Sequence, residues 1–193
     1  MTAGTGKESK IRRLDPKKRQ GLVVVITGDG KGKTTSALGM ALRACGHDMR
    51  VGIIQFMKGD MYAGEWDGVK KMTCDIELLT TGMGFVGIGG NACSFEEHRA
   101  AAQKALELVR ARLAEKRYDL LILDEINNAL KLGLLDLDQV LALLSARPFE
   151  LHLVLTGRDA DPAVMEIADT VSEVREIKHA FRRKIEPQPG IDY

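Results

Sequence analysis

The stretch that most constrains the fold is Leu22–Thr35, "LVVVITGDGKGKTT". "LVVVI" (22–26) is a short, uninterrupted, β-branched apolar run, the pattern of a strand buried on both faces of a parallel sheet. A glycine-rich loop follows and opens into helix-forming sequence. Strand, glycine loop and helix in that order make a phosphate-binding loop, where backbone N–H groups and the helix N-terminus favour anions. The usual formula is G-x-x-x-x-G-K-[ST]. Counting back from Gly32-Lys33-Thr34 puts Thr27 where the first glycine belongs, and read from Gly28 the loop is one residue short. The expected ATP-binding residues are Gly28, Asp29, Gly30, Lys31, Gly32, Lys33, Thr34 and Thr35. Lys33 reaches phosphate oxygens, Thr34 places its hydroxyl on Mg²⁺, and Lys31 adds a second cation inside the loop.

The rest of the chain alternates between strand and helix patterns. A helix is expected from Lys33 to about Cys45, with Gly46 as its stop. "VGIIQF" (51–56), "DIELLT" (75–80), "LLILDE" (120–125), "HLVLTG" (152–157) and "VSEVREIK" (171–178) read as further strands. Ser94-Phe95-Glu96-Glu97 reads as a capping box, starting a helix with Ala102, Leu106, Val109 and Leu113 on one face. Asp136 can cap a helix through about Ser145. Asp161-Pro162 opens another, with proline at its first position. Such alternation implies a mostly parallel sheet with helices on both faces: one P-loop NTPase-like (RecA-like) α/β domain over residues 21–193. Ligands of such sheets lie at the carboxyl ends of the strands.

Two strand ends carry further chemistry. Asp124 and Glu125 close "LLILDE", where a Walker B carboxylate would hold Mg²⁺ directly or through water; capping of the following helix is the plainer alternative. Arg158 closes "TGR" (156–158) and can bind phosphate, or simply face solvent. The segment "TTGMGFVGIGG" (80–90) contains G-x-G-x-x-G, but no acid follows about 20 residues on at the end of a next strand, so a dinucleotide fold is rejected. Its uncharged Met83, Phe85, Val86 and Ile88 suit a lid over a flat, partly apolar ligand better than a bare surface loop.

Composition narrows the function classes. A net charge of +1 offers no global field for nucleic acid or membrane. No apolar run reaches the ~18 residues of a spanning helix, and no signal peptide is evident, so the expected location is the cytoplasm. Cys45, Cys74 and Cys93 lack metal-type spacing and read as reduced, unpaired thiols. His47, His98, His152 and His179 form no ligand cluster. Residues 1–20 hold seven Lys or Arg against Glu8 and Asp15. They read as a mobile basic arm, or as a segment that orders over an anionic ligand.

Spacing alone reaches a protein that binds Mg·ATP, not its reaction. From about Gly21 to Tyr193, however, the chain resembles the P-loop corrinoid adenosyltransferases of CobA/CobO/BtuR type. The pieces that carry the resemblance are "GDGKGKTTSALGMALRACGH", "VGIIQFMKG", "LLTTGMGF", "YDLLILDEINNAL", "LSARP", "LVLTGRD", "ADTVSEVREIKHAF" and the terminal "GIDY". The resemblance implies transfer of the 5′-deoxyadenosyl group of ATP to the Co(I) of a reduced corrinoid, with triphosphate leaving in one piece. It implies Lys33 and Phe85 as catalytic residues, and Thr34, Glu125 and Asp124 at the Mg²⁺ or Mn²⁺ ion. Phe85 and Val86 would lie against the corrinoid, and Arg158 at the phosphates. It also implies a homodimer, an arm closing over the corrinoid, and a flavoprotein-like electron donor reducing Co(II) to Co(I). One departure stands out. Family members commonly read "GFTW" where this chain has Gly84-Phe85-Val86-Gly87, so the second aromatic under the corrin ring is replaced by glycine and Trp66 lies far upstream. Co(I) is itself a strong nucleophile, which agrees with the absence of any nucleophile–base constellation. The rival readings are a P-loop ATPase or small-molecule kinase, and an ATP-gated corrinoid carrier.

Overall fold

The computed structural model describes residues 14, 16–59, 62–84, 86 and 93–193. Six strands form one sheet: β1 (Val23–Thr27), β2 (Val51–Gln55), β3 (Ile76–Thr80), β4 (Leu120–Asp124), β5 (His152–Thr156) and β6 (Thr170–Glu173). Their order is β3-β2-β4-β5-β1-β6, and every pairing is parallel. The helices are α1 (Lys33–Cys45), α2 (Glu65–Lys70), α3 (Phe95–Ala114), α4 (Ile126–Lys131), α5 (Leu137–Ser145) and α6 (Pro162–Ile167), followed by a 3₁₀ turn at Ala180–Arg183. The single α/β domain with a parallel sheet and helices on both faces, expected from the sequence, therefore holds.

Side-chain alternation along the strands divides the core in two. Leu121 and Leu123 of β4 and Leu153 and Leu155 of β5 join Leu106 and Val109 of α3 and Leu143 and Leu144 of α5 on one face. Leu120, Ile122 and Val154 point the other way, onto Ala37, Ala41 and Ala44 of α1. Those alanines recur at i, i+4 and i+7, one helical face, and their small side chains let α1 lie close to the sheet. Ser94 caps α3 as expected: its Oγ accepts from Glu97 N at 3.2 Å, and Ser94 N donates to the Glu97 carboxylate at 2.7 Å. Asp161 caps α6 by accepting from Ala163 N at 2.8 Å. No helix among the described residues is long and apolar enough to cross a membrane.

Gly46 caps α1 as expected, in the right-handed conformation (φ −66°), and the left-handed turn falls on Asp48 (φ 58°). Two expectations need correction, the length of the last strand and the state of two cysteines. The last strand stops at Glu173 because the chain there turns under the phosphate loop, Val174 O accepting from Gly30 N at 2.7 Å. Helices α2 and α4, six residues each, were not foreseen; segments so short carry too little periodicity to read. Cys45 and Cys74 are not separate thiols but a disulfide pair, Cα atoms 5.6 Å apart. The end of α1 and the approach to β3 meet at the amino ends of the strands, a proximity that their separation of 29 residues hides.

The packing around β2 gives a direct test. A Cβ on Gly52 would lie 2.6 Å from the ring of Tyr118, whose hydroxyl donates to Glu77. Burial, together with that carboxylate, pushes the Tyr118 phenol up to about 12, so the ring is fixed at both ends. Gly52→Val should therefore cost about 1–3 kcal/mol through overpacking, read as a lower urea midpoint with unchanged slope. An unchanged midpoint would contradict this packing.

Candidate active site

Every strand ends in a polar residue at the carboxyl edge: Thr27, Gln55, Thr80, Asp124, Thr156 and Glu173. The site is built there. Thr27, where the formula asks for glycine, is the last residue of β1, and its hydroxyl accepts from Ala160 N at 3.1 Å. Gly28 makes the turn one residue later with φ 97°; a Cβ there would sit 2.5 Å from Val174 O. The shortened loop thus starts from a strand residue already committed to its neighbours. Lys33 is 8% exposed and folds back to donate to Gly28 O (2.7 Å) and Gly30 O (2.9 Å). Burial lowers its pKa, against the raising pull of Glu125, Asp29 and Asp124. Two backbone carbonyls are a weak substitute for phosphate oxygens, so the ammonium is poised for an anion.

Asp124 has no exposed surface. Its Oδ1 accepts from Thr34 Oγ1 of α1 (2.8 Å) and Thr156 Oγ1 of β5 (2.7 Å), and its Oδ2 from Gln55 Nε2 of β2 (3.2 Å). Thr156 Oγ1 in turn accepts from Glu125 N at 2.9 Å. Glu125 adopts a left-handed conformation (φ 64°) at the start of α4, and its side chain makes no cap bond. That backbone cost recurs at functional positions, and it turns the carboxyl into the cavity. Burial and the neighbouring Asp124 push this carboxyl up to about 7, while Lys33, Lys58 and Arg158 pull it back. A threonine hydroxyl and two adjacent carboxyls form an all-oxygen donor set, one of them lacking countercharge, and this suits Mg²⁺ or Mn²⁺. The described residues hold no group of three or more His, Cys, Asp or Glu placed to bind a metal ion, so such an ion would complete its shell with phosphate oxygens and water.

Lys33, Thr34 and Glu125 line one cavity of about 830 Å³, together with Asp29, Lys31 and Arg158, and Asp124 lies buried behind them. Arg158 N donates to Asn128 Oδ1 at 2.6 Å, which fixes the "TGR" turn. Sequence reasoning missed several walls of this cavity: Lys58, Glu65, Asn128, His179 and the C-terminal Gly190–Tyr193. Lys31 lies at the cavity, but its ammonium turns to Asp192 of the C-terminal segment at 2.8 Å. The signals were present as the strings "QFMKG" and "GIDY", to which no role had been attached.

The glycine-rich segment begins beside this cavity. Thr81 N and Oγ1 both donate to Gln55 O, at 3.1 and 2.9 Å. A Cβ on Gly82 would lie 2.5 Å from Phe56 O, and one on Gly59 would lie 2.0 Å from Gly82 O. The two backbones touch, and only glycine permits it. Val86 is half-buried against the larger core cluster and is not among the cavity's lining residues. Met83 is 38% exposed and lines a second hollow of about 360 Å³ with Glu97 and Lys104. Phe85 and Gly87–Ala92 lie outside the described residues, as do Met1–Arg13 and Asp15 of the basic arm.

Glu125 contributes a pH response to the protein free of metal and nucleotide. Its folded value near 7 exceeds the ordinary 4.5. The group therefore favours the folded state fully below the unfolded value, and that contribution is lost as pH climbs through about 7. In EDTA, Glu125→Gln should gain roughly 1–3 kcal/mol relative to the parent at pH 8 and little at pH 4.5, measured by urea denaturation. An equal difference at both pH values would contradict the assignment.

The description "ATP:corrinoid adenosyltransferase BtuR/CobO/CobP" matches residues 19–193 of the chain. A corrinoid adenosyltransferase of Pseudomonas aeruginosa is 40% identical over 174 residues, covering 90% of this chain and 84% of that one. One of Escherichia coli K12 is 36% identical over 174 residues, covering 90% and 86%. The corrinoid adenosyltransferase CobA of Salmonella typhimurium is 35% identical over 182 residues, covering 94% and 90%. The chain belongs to the ATP:corrinoid adenosyltransferase BtuR/CobO/CobP family.

Proposed function

We propose that this protein transfers the 5′-deoxyadenosyl group of ATP to the Co(I) of a reduced corrinoid and releases triphosphate. The observation that carries the reading is the cavity in which the shortened loop, Glu125 and Arg158 converge, with Asp124 buried behind Thr34 and the glycine-rich segment backing the wall at Lys58. Backbone N–H groups of Gly28–Gly32 and the start of α1 receive the phosphates. Lys33 exchanges its two carbonyl partners for phosphate oxygens, and Arg158 binds from the neighbouring strand end. Thr34, Glu125 and Asp124 hold Mg²⁺ or Mn²⁺, with Asp124 acting through the Thr34 hydroxyl that it already fixes. The bound ion would neutralise phosphate oxygens. The corrinoid lies against Phe85 and Val86.

The reaction needs no protein base. Co(I) supplies the electron pair, so the protein contributes orientation, exclusion of water and charge stabilisation on the triphosphate. A hydrolase or kinase would present the γ-phosphorus to its acceptor, whereas this cavity has to hold all three phosphates as a leaving group and leave C5′ open. Residues 21–193 form the enzyme domain and residues 1–20 an arm that closes over the corrinoid. The working unit is a cytoplasmic homodimer served by a flavoprotein-like reductant. In a reducing compartment the Cys45–Cys74 pair would stand open without touching the site, since it lies at the opposite edge of the sheet.

Mixing the protein with ATP and pre-reduced corrinoid should form one light-sensitive Co–C bond per inorganic triphosphate. ADP and phosphate with no Co–C bond would favour the ATPase or kinase, and tight corrinoid binding without turnover would favour a carrier. Lys33→Ala should lower kcat/KM for ATP by at least ~10²-fold, chiefly through lost ATP binding. Unchanged ATP affinity in a titration would contradict the role given to Lys33.

A further inference from the structure

Lys58 follows the carboxyl end of β2 and stands between two parts of the molecule. Its side chain lines the nucleotide cavity. Its backbone abuts the glycine-rich segment: a Cβ on Gly82 would lie 2.8 Å from Lys58 N. Its ammonium is held by Glu65 of α2, and both side chains are mostly buried, at 22% and 14% exposed. Glu65 is itself steered. Gln55 has no exposed surface, and its Nε2 donates to both Glu65 Oε1 and Asp124 Oδ2 at 3.2 Å, while its Oε1 accepts from Trp66 Nε1 at 2.8 Å. Burial works against the Glu65 charge, yet hydrogen bonds from Lys58, the backbone and Gln55 outweigh it and hold the carboxyl below its ordinary value. The Lys58 charge is also felt at Glu125. A continuous chain, Asp124–Gln55–Glu65–Lys58, therefore links the buried carboxylate of the phosphate site to a lysine on the wall that faces Gly82.

The position matters because adenosyl transfer breaks the bond at the far end of the triphosphate from a phosphate-gripping loop. Lys33 and Lys31 belong to the loop, and Arg158 to the strand end beside it. Among the described residues, the cation that both lines the cavity and abuts the glycine-rich segment is Lys58. Resting on the proposed adenosyl transfer, we infer that Lys58 is a further catalytic residue, its ammonium meeting the α-phosphate and O5′ as the C5′–O5′ bond breaks. The cobalt electron pair forms the Co–C5′ bond, the C5′–O5′ pair stays on O5′, and triphosphate departs carrying that added charge. Cobalt rises formally from +1 to +3, and no proton moves. A pre-placed ammonium at the oxygen where charge appears stabilises the transition state more than the ground state. Glu65 and Gln55 are positioning residues that aim it.

The test uses the full chain, ATP and pre-reduced Co(I) corrinoid, so that no reductase step intervenes. Lys58→Gln should lower kcat by ~10²-fold, with ATP dissociation constants within ~3-fold of the parent. Lys58→Arg, which keeps the charge, should recover at least ~10-fold of that loss. Glu65→Gln, of nearly the same shape, should lower kcat by ~10-fold with ATP dissociation constants within ~3-fold of the parent. A kcat for Lys58→Gln within ~3-fold of the parent, a loss confined to ATP affinity, or no recovery in Lys58→Arg would each overturn the assignment. Should Lys58→Gln fail to fold, the Glu65→Gln and Lys58→Arg kinetics decide alone. A parent protein that makes no Co–C bond from Co(I) would instead sink the proposed function itself.

Discussion

The site depends on the buried carboxylate of Asp124. A carboxylate with no exposed surface is tolerable only when fully hydrogen-bonded, and this one takes donors from three separate elements: Thr34 of α1, Thr156 of β5 and Gln55 of β2. Each donor brings a further group with it. Thr34 brings the phosphate loop, Thr156 brings the backbone of Glu125, and Gln55 brings α2 with Glu65 and Lys58. Removing the carboxylate would leave two buried donors, on Gln55 and Thr156, and the half-buried Thr34 hydroxyl short of a partner, each buried one worth about 1–3 kcal/mol.

This arrangement separates two tasks that the cavity must perform. The loop end is dense in N–H groups and holds Lys33 against backbone carbonyls, a grip suited to an anion that must not turn. The opposite wall, formed by Lys58 and Glu65, backs onto the glycine-rich segment through the Lys58 backbone, and it is there that the proposed reaction brings the transferred carbon to a flat acceptor. The Lys31–Asp192 pair ties the C-terminal segment to the loop, which adds a third wall that an ordinary phosphate loop lacks. The missing loop residue is explained by Thr27: β1 runs one residue further because its hydroxyl is engaged by Ala160 N.

Much of this was legible in the sequence, for identifiable reasons. The β-branched run at 22–26, the capping box at Ser94 and the proline at the start of α6 are local signals, and local physics decides them. The acids at 124–125 and Arg158 were placed correctly at strand ends because a parallel sheet brings those ends together. What escaped was non-local. Gln55 reads as one polar residue at the end of an apolar strand; its amide gains meaning only once β2 lies beside β4, in register with Asp124. Lys58, Glu65 and Asp192 carry no spacing that connects them to the loop. The Cys45–Cys74 pair depends on where α1 ends relative to β3. Glu125 was seen as a carboxylate, but not as a left-handed residue.

The central claim is that ATP lies with its triphosphate along the loop and its C5′ carbon toward the Lys58 wall. A crystal structure of the protein with ATP bound tests it most directly. The account predicts phosphates along Gly28–Thr35, with C5′ open toward Lys58 and Gly82. A nucleotide with C5′ turned away from that wall, and its γ-phosphate presented there instead, would contradict it.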